Sequence, residues 1–177
     1  MTAFLRTDIK LLPEQLAIRA KCFHPSGLFE EFTKEEVEQS IPERFEKIVK
    51  RYPDRLAIKE TGQAVTYTEL NQRANRLSHA ILDRCGEGNV PVAILMEHGT
   101  SILVAIVAAL KAGKIYVPLD PSYPVERLQY MLRDSQAELI VAHRGTLSLA
   151  RQMGSGGVAV IDVDEPGAAS RHDDVSV

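Results

Sequence analysis

The sequence predicts an α/β fold: a helix-covered, mostly parallel sheet of repeated strand–helix units, preceded by an extension and one helix. Three observations carry this expectation. Apolar runs of buried-strand type stand at residues 92–96 and 115–119, and further strands at 139–142 and 158–163. Segments with helical spacing alternate with them. The 177-residue length suits one domain, or a domain plus an extension.

Taken in order, residues 1–32 show apolar positions (Leu11, Leu12, Leu16, Ile18, Phe23) without a firm period, and a turn signal at His24-Pro25-Ser26-Gly27. They read as an extension. Residues 33–52 read as a helix. In it Ser40 and Glu43 form a capping box, Pro42 falls in the first turn, and Ile41, Phe45, Ile48, Val49 and Tyr52 make an apolar stripe. The acidic cluster Glu30, Glu31, Glu35, Glu36 and Glu38 reads as a solvated face, since it lacks the carboxylate spacing and glycine turn of a calcium loop.

Residues 56–59 and 64–66 flank Thr61-Gly62 and predict a hairpin. Thr66 and Glu69 form a second capping box, opening a helix whose inner face is Leu70, Ala74, Leu77 and Ile81. Residues 85–89 break it. After the strand at 92–96, residues 101–112 are apolar nearly all round, which predicts a helix covered on more than one side. Gly113 is its expected left-handed stop, with Lys114 exposed beside the turn. Residues 115–119 read as a second buried strand with Pro118 at its terminus. Asp120-Pro121 then turns the chain into a helix that begins near Pro124 and buries Leu128, Met131 and Leu132. A strand at 139–142, a short helix at 147–153 and a strand at 158–163 complete the alternation. The alternating apolar residues of Asp173-Asp174-Val175-Ser176-Val177 look like the start of another strand.

Composition excludes several classes. Hydrophobic residues are 45% and charged residues 25%, an ordinary globular balance. Lysine plus arginine is 21 and aspartate plus glutamate 24, so 21 − 24 gives −3, which argues against a nucleic-acid partner. The longest uncharged run, between Glu97 and Lys111, is shorter than the ~20 residues that span a bilayer, so no membrane partner is expected. Arg6, Asp8, Lys10 and Glu14 interrupt any signal-peptide run. Cys22 and Cys85 form no CxxC, and a reduced, cytoplasmic setting is expected.

The search for chemistry is negative. Gly86 and Gly88 lack the third glycine of a dinucleotide fingerprint, and Gly113-Lys114 is followed by Ile115 rather than Ser or Thr. Gly154, Gly156 and Gly157 precede a strand, not a helix. His24, His79, His98, His143 and His172 have no second ligand at metal spacing. His98 follows a strand, where α/β folds bind ligands, yet an ordinary surface or satisfied histidine is the better reading. Cys85 closes a helix rather than opening one, so nothing lowers its pKa. No catalytic, cofactor-binding or metal-binding residue is assigned.

Two stretches carry a resemblance. Val65-Thr66-Tyr67-Thr68-Glu69-Leu70 resembles the first core motif of the AMP-forming adenylating superfamily. Leu110-Lys111-Ala112-Gly113-Lys114-Ile115-Tyr116-Val117-Pro118-Leu119-Asp120, continued by Pro121-Ser122-Tyr123-Pro124-Val125-Glu126-Arg127-Leu128, resembles the second. The closest kind of member is the adenylation domain of nonribosomal peptide synthetases, with acyl-CoA ligases as relatives. The resemblance covers residues 40–164. Val65 stands where leucine is commoner, Lys114 where a small residue is commoner, and Glu97-His98-Gly99 where many members have Glu-Arg-Ser.

The resemblance implies an intact enzyme that binds ATP, magnesium and a carboxylic acid. The carboxylate attacks the α-phosphorus, pyrophosphate leaves, and the acyl-adenylate passes its acyl group to a phosphopantetheine or coenzyme A thiol. In the family the phosphate loop, the ribose-binding aspartate, the catalytic lysine and the acid pocket all follow the second motif. The two motifs here do scaffold work, so no functional residue and no cofactor is carried onto this chain. Residues 1–39 are then an extension or linker, residues 40–164 the N-terminal subdomain, and residues 165–177 a tail, with the chain cut before the chemistry and inactive alone. Its expected partners are the remainder of the adenylation domain and, in the intact enzyme, a carrier protein or other synthetase domains. Two alternatives stand: a non-catalytic partner-binding module of the same ancestry, and a small doubly wound nucleotide-binding oxidoreductase, against which the missing glycine fingerprint counts.

Overall fold

The computed structural model describes residues 12–21 and 33–164. The chain divides into two units, residues 1–39 and residues 40–177. In the first, the stretch without a legible period contains a helix, α1 (Pro13–Lys21), with Pro13 at the tolerated first position and Glu14 in the first turn. A short helix, α2 (Lys34–Val37), follows Thr33, whose N–H donates to the Glu36 carboxylate at 2.9 Å.

The second unit opens with α3 (Ile41–Arg51). The single helix expected over 33–52 is therefore two, parted at 38–40. Ser40 takes the extended cap conformation (φ −66, ψ 155). A continuous helix would also drive the Pro42 ring into the carbonyl four residues back. The capping box forms as its residues predict: the Glu43 N–H donates to Ser40 Oγ at 3.3 Å, and the Ser40 N–H donates to the Glu43 carboxylate at 2.8 Å.

The hairpin is β1 (Leu56–Glu60) and β2 (Gln63–Thr66), antiparallel, with Gly62 at φ +81 in its turn. Thr66 then caps α4 (Tyr67–Cys85) through the second box: Glu69 N–H to Thr66 Oγ1 is 3.2 Å, and Thr66 N–H to Glu69 is 2.8 Å.

The alternating region folds as β3 (Pro91–Leu95), α5 (Thr100–Lys111), β4 (Ile115–Leu119), α6 (Val125–Asp134), β5 (Leu139–Ala142), α7 (Leu147–Met153) and β6 (Ala159–Asp162). The four strands form one parallel sheet in the order β4-β3-β5-β6. Strand periodicity divides the side chains between two cores. Val92, Ile94, Leu139 and Val141 pack with Leu70, Ala74, Leu77 and Ile81 of α4 and Ala105, Ala108 and Ala109 of α5. Ala93, Leu95, Ile140 and Ala142 pack on the other face with Leu128 and Leu132 of α6 and Ala150 and Met153 of α7. Each fully buried Leu or Ile contributes about 1.5–3 kcal/mol. The β3–β4 connection runs one way over one face, and the next two run the other way over the opposite face. All three crossovers therefore share one hand.

Three expectations change here. Among the described residues β4 is an edge strand and not a buried one: Ile115 is 53% exposed and Tyr116 39% exposed, while Leu119 is buried. An apolar run reads the same in both positions, because strand order is not written in sequence order. Pro118 lies inside β4, opposite Ile94, and an edge strand tolerates its missing donor. Helix α5 buries Val104, Ala105, Ala108 and Ala109 as expected, but Leu103 is 42% exposed, so its cover is incomplete among the described residues.

Gly113 is the left-handed stop, at φ +66. Its N–H donates to the Leu110 carbonyl (3.1 Å), and the Lys114 N–H donates to that of Ala109 (2.8 Å). Lys114 itself is only 3% exposed, against expectation. Its ammonium donates to the Gly86 carbonyl (2.6 Å) and the Gly88 carbonyl (2.9 Å), tying the start of β4 to the loop after α4. The expected tail at 165–177, its strand at 173–177 and the turn at 24–27 lie outside the described residues.

Candidate functional site

β3 and β5 are neighbours, yet the helices that come after them lie on opposite faces. This is a topological switch point, where open α/β sheets form a crevice outside the carboxyl ends of the strands. Glu97, His98 and Gly99 leave β3 there, and residues 143–146 leave β5. Asp120 and Asp164 leave β4 and β6 at the same end of the sheet.

The turn His143-Arg144-Gly145-Thr146 draws three strand ends together. It is closed by the Thr146 N–H on the His143 carbonyl (2.9 Å). The buried Thr146 hydroxyl donates to the Leu95 carbonyl of β3 at 2.6 Å. The Arg144 N–H donates to the Asp164 carboxylate beyond β6 at 2.8 Å. The His143 ring folds back over the turn: Nδ1 accepts the Gly145 N–H at 2.8 Å, while Nε2 lies 2.6 Å from the Glu97 carboxylate. The ring thus joins the Gly145 amide of the turn to the Glu97 carboxylate beyond β3.

The N-terminus of α5 is also engaged. Gly99 offers no capping side chain, and the Glu60 carboxylate of β1 takes the role, accepting from the Thr100 N–H (3.1 Å) and hydroxyl (2.8 Å). A Cβ on Gly99 would lie 2.9 Å from Glu60 Oε1, so glycine leaves room for the carboxylate. At the end of β4, the Ser122 N–H donates to Asp120 Oδ1 at 2.9 Å, and these bonds from Ser122, aided by His98, hold the Asp120 carboxyl below its ordinary value.

The α5 N-terminus already faces a carboxylate, and Glu97, Asp120 and Asp164 add negative charge at the same end of the sheet. No group of three metal-ligating side chains occurs among the described residues. Burial pushes the Cys85 thiol up, away from nucleophilic use.

The residues of the two motifs are held in the scaffold. Thr66 and Glu69 cap α4, Gly113 stops α5, and Lys111 pairs with Glu46 of α3. Residues 45–175 match the family model described as AMP-binding enzyme. The chain belongs to the AMP-binding enzyme family.

Its relatives are synthetases. It is 46% identical to gramicidin S synthase 2 of Brevibacillus brevis over 110 residues, which is 62% of this chain and 2% of that protein. It is 36% identical to surfactin synthase subunit 1 of Bacillus subtilis (strain 168) over 161 residues, 90% of this chain and 4% of that one. Tyrocidine synthase 1 of Brevibacillus parabrevis is 38% identical over 128 residues, 72% of this chain and 12% of that one. The chain thus spans a small fraction of the curated relatives it matches. Among solved structures, the nonribosomal peptide synthetase FmoA3 bound to alpha-methyl-L-serine-AMP superposes with a TM-score of 0.65 at 26% identity, over 71% of this chain and 14% of that one. The Klebsiella oxytoca NpsA N-terminal subdomain in complex with anthranilyl-AMSN gives 0.56 at 25%, over 59% and 27%. The chain is the N-terminal part of an adenylation domain, as its two motifs imply, and the oxidoreductase alternative falls. No helix among its described residues is long and apolar enough to cross a membrane.

Sequence reasoning missed Glu60, the Glu97–His143 pair and the Lys114 tether. His98, after a strand where α/β folds bind ligands, and the departure at Glu97-His98-Gly99 both lie at this place; a helix start without a capping side chain asks for a cap from elsewhere.

Proposed function

We propose that this chain forms one wall of an enzyme that activates an amino acid or other carboxylic acid with ATP and magnesium and loads it on a phosphopantetheine thiol. Residues 40–164 are the wall, residues 1–39 an extension or linker, and residues 165–177 a tail. The chain contributes no catalytic, nucleotide-binding or metal-binding side chain. The remainder of the adenylation domain is its immediate partner, a carrier protein or other synthetase domain a further one, and the cytoplasm its setting. One observation supports the reading above all: Thr66, Glu69, Lys111, Gly113 and Lys114 of the two motifs serve as caps, a stop and tethers inside the subdomain.

The test is acid-dependent pyrophosphate exchange over a panel of amino, aryl and fatty acids. The 177-residue chain alone stays at background. A hybrid gramicidin S synthase 2 adenylation domain carrying residues 40–164 in place of its own stretch retains exchange. Exchange by the chain alone sinks the proposal, and so does a folded hybrid that is dead.

A further inference from the structure

We propose that the turn at 143–146 is a proton-sensitive latch at the mouth of the switch-point crevice. The argument rests on the two ring contacts of His143. Nδ1 is the acceptor for the Gly145 N–H (2.8 Å) and Nε2 is 2.6 Å from Glu97, so the closed turn is built on a neutral ring. A proton added to Nδ1 would face the Gly145 N–H as donor against donor. That contact is lost and the ring must turn away from the amide. A Cβ on residue 145 would stand 2.6 Å from His143 Cε1, so glycine is what lets the ring lie against this peptide.

The charged groups around the turn decide how it responds to protonation. Glu97, from the end of β3, attracts the imidazolium and keeps Nε2 as its partner. Asp164, from the end of β6, holds the Arg144 N–H at 2.8 Å, and Thr146 holds Leu95 of β3. Neither of these bonds involves the ring. Protonation therefore opens one corner of the turn, at Gly145, while both flanks stay anchored. Histidine is the side chain whose ordinary titration spans about pH 5 to 8. The latch thus converts mild acidification into freedom of the Gly145 peptide at the end of β5.

The test uses the 177-residue chain and two readings: the 15N shifts of the His143 ring, and amide exchange of Gly145 from pH 7.5 to 5, corrected for intrinsic rates. The ring shows a protonated Nε2 at pH 7.5. Gly145 protection falls about ten-fold or more in step with the ring's titration, while Thr146 protection holds. His143→Asn places an acceptor near the same spot without titrating, and its Gly145 protection becomes independent of pH. The proposal is overturned by a proton on Nδ1 at pH 7.5, by a ring that does not titrate over this range, or by Gly145 protection that stays constant while the ring titrates.

Discussion

Lys111, in the last turn of α5, pairs with Glu46 of α3, and its ammonium lies 5.9 Å from the centre of the Phe45 ring. The lysine side chain is 1% exposed and the glutamate 19%. A second-motif lysine is thus a clamp between two helices, its partner 65 positions away in sequence. Removing one partner strands the other away from water. Glu46→Ala should cost about 3 kcal/mol or more, and Lys111→Met with Glu46→Leu should recover most of it, since an apolar pair of similar volume avoids the desolvation. Urea denaturation of the two variants checks this; a double variant no more stable than Glu46→Ala would overturn it.

Lys114 gives the second prediction. Its ammonium answers two carbonyls of the loop after α4. Lys114→Gly should destabilise by about 2 kcal/mol, the scale of hydrogen bonds to a charged group whose partners are then left unpaired. Chemical denaturation measures it. A neutral outcome would return Lys114 to the exposed position its sequence suggested.

Gly113 tests backbone alone. A Cβ there meets nothing within 4 Å, so any penalty comes from its φ of +66 and not from crowding. Gly113→Val should cost about 1–2 kcal/mol, and Gly113→Asn clearly less. Identical urea midpoints for wild type and Gly113→Val would remove the left-handed stop.

Two exposed carboxylates set an acid limit. Glu43 is held below its ordinary 4.5 by its backbone and side-chain bonds with Ser40, and Asp120 below its ordinary 3.8 by Ser122. A group whose folded pKa is lowered stabilises fully above its unfolded value, and that contribution is lost as pH falls through the folded value. The α3 cap and the 120–122 turn should therefore be intact above about pH 5 and loosen below about pH 4. Carboxyl 13C titration of Glu43 and Asp120 reads this directly; midpoints at or above the ordinary values would contradict it.

Exposed apolar side chains at Leu103, Ile115 and Tyr116 lie on the neighbouring elements α5 and β4. The chain alone should bind hydrophobic dyes and self-associate as concentration rises, and Leu103→Lys with Tyr116→Lys should reduce both. Sedimentation velocity decides. A monodisperse monomer without dye signal would mean that this surface needs no cover.

Much of this fold is legible because its signals are local. The boxes at Ser40/Glu43 and Thr66/Glu69 each lie within one helical turn, and Gly113 stands directly after the helix it stops. The buried strand at 139–142 and the helix at 147–153 keep their predicted bounds. The illegible features depend on distance along the chain. The edge position of β4 is set by which strands sit beside β3. The burial of Lys114 is set by carbonyls 26 and 28 positions away. At the candidate site, Glu60 and Thr100 meet across 40 residues. Glu97 and His143 belong to different strand–helix units, and neither carries a motif that names the other.

The strand order has a consequence for synthesis. β3 carries four consecutive fully buried side chains, Val92, Ala93, Ile94 and Leu95, and has a neighbour on each edge. The chain emerging from a ribosome supplies β4 first and β5 only roughly twenty residues later. At about 5–20 residues per second, one flank of β3 stays bare for one to several seconds. A nascent-chain chaperone would have its clearest target in that interval, and a translational pause between the codons for Leu119 and Leu139 would lengthen the exposure.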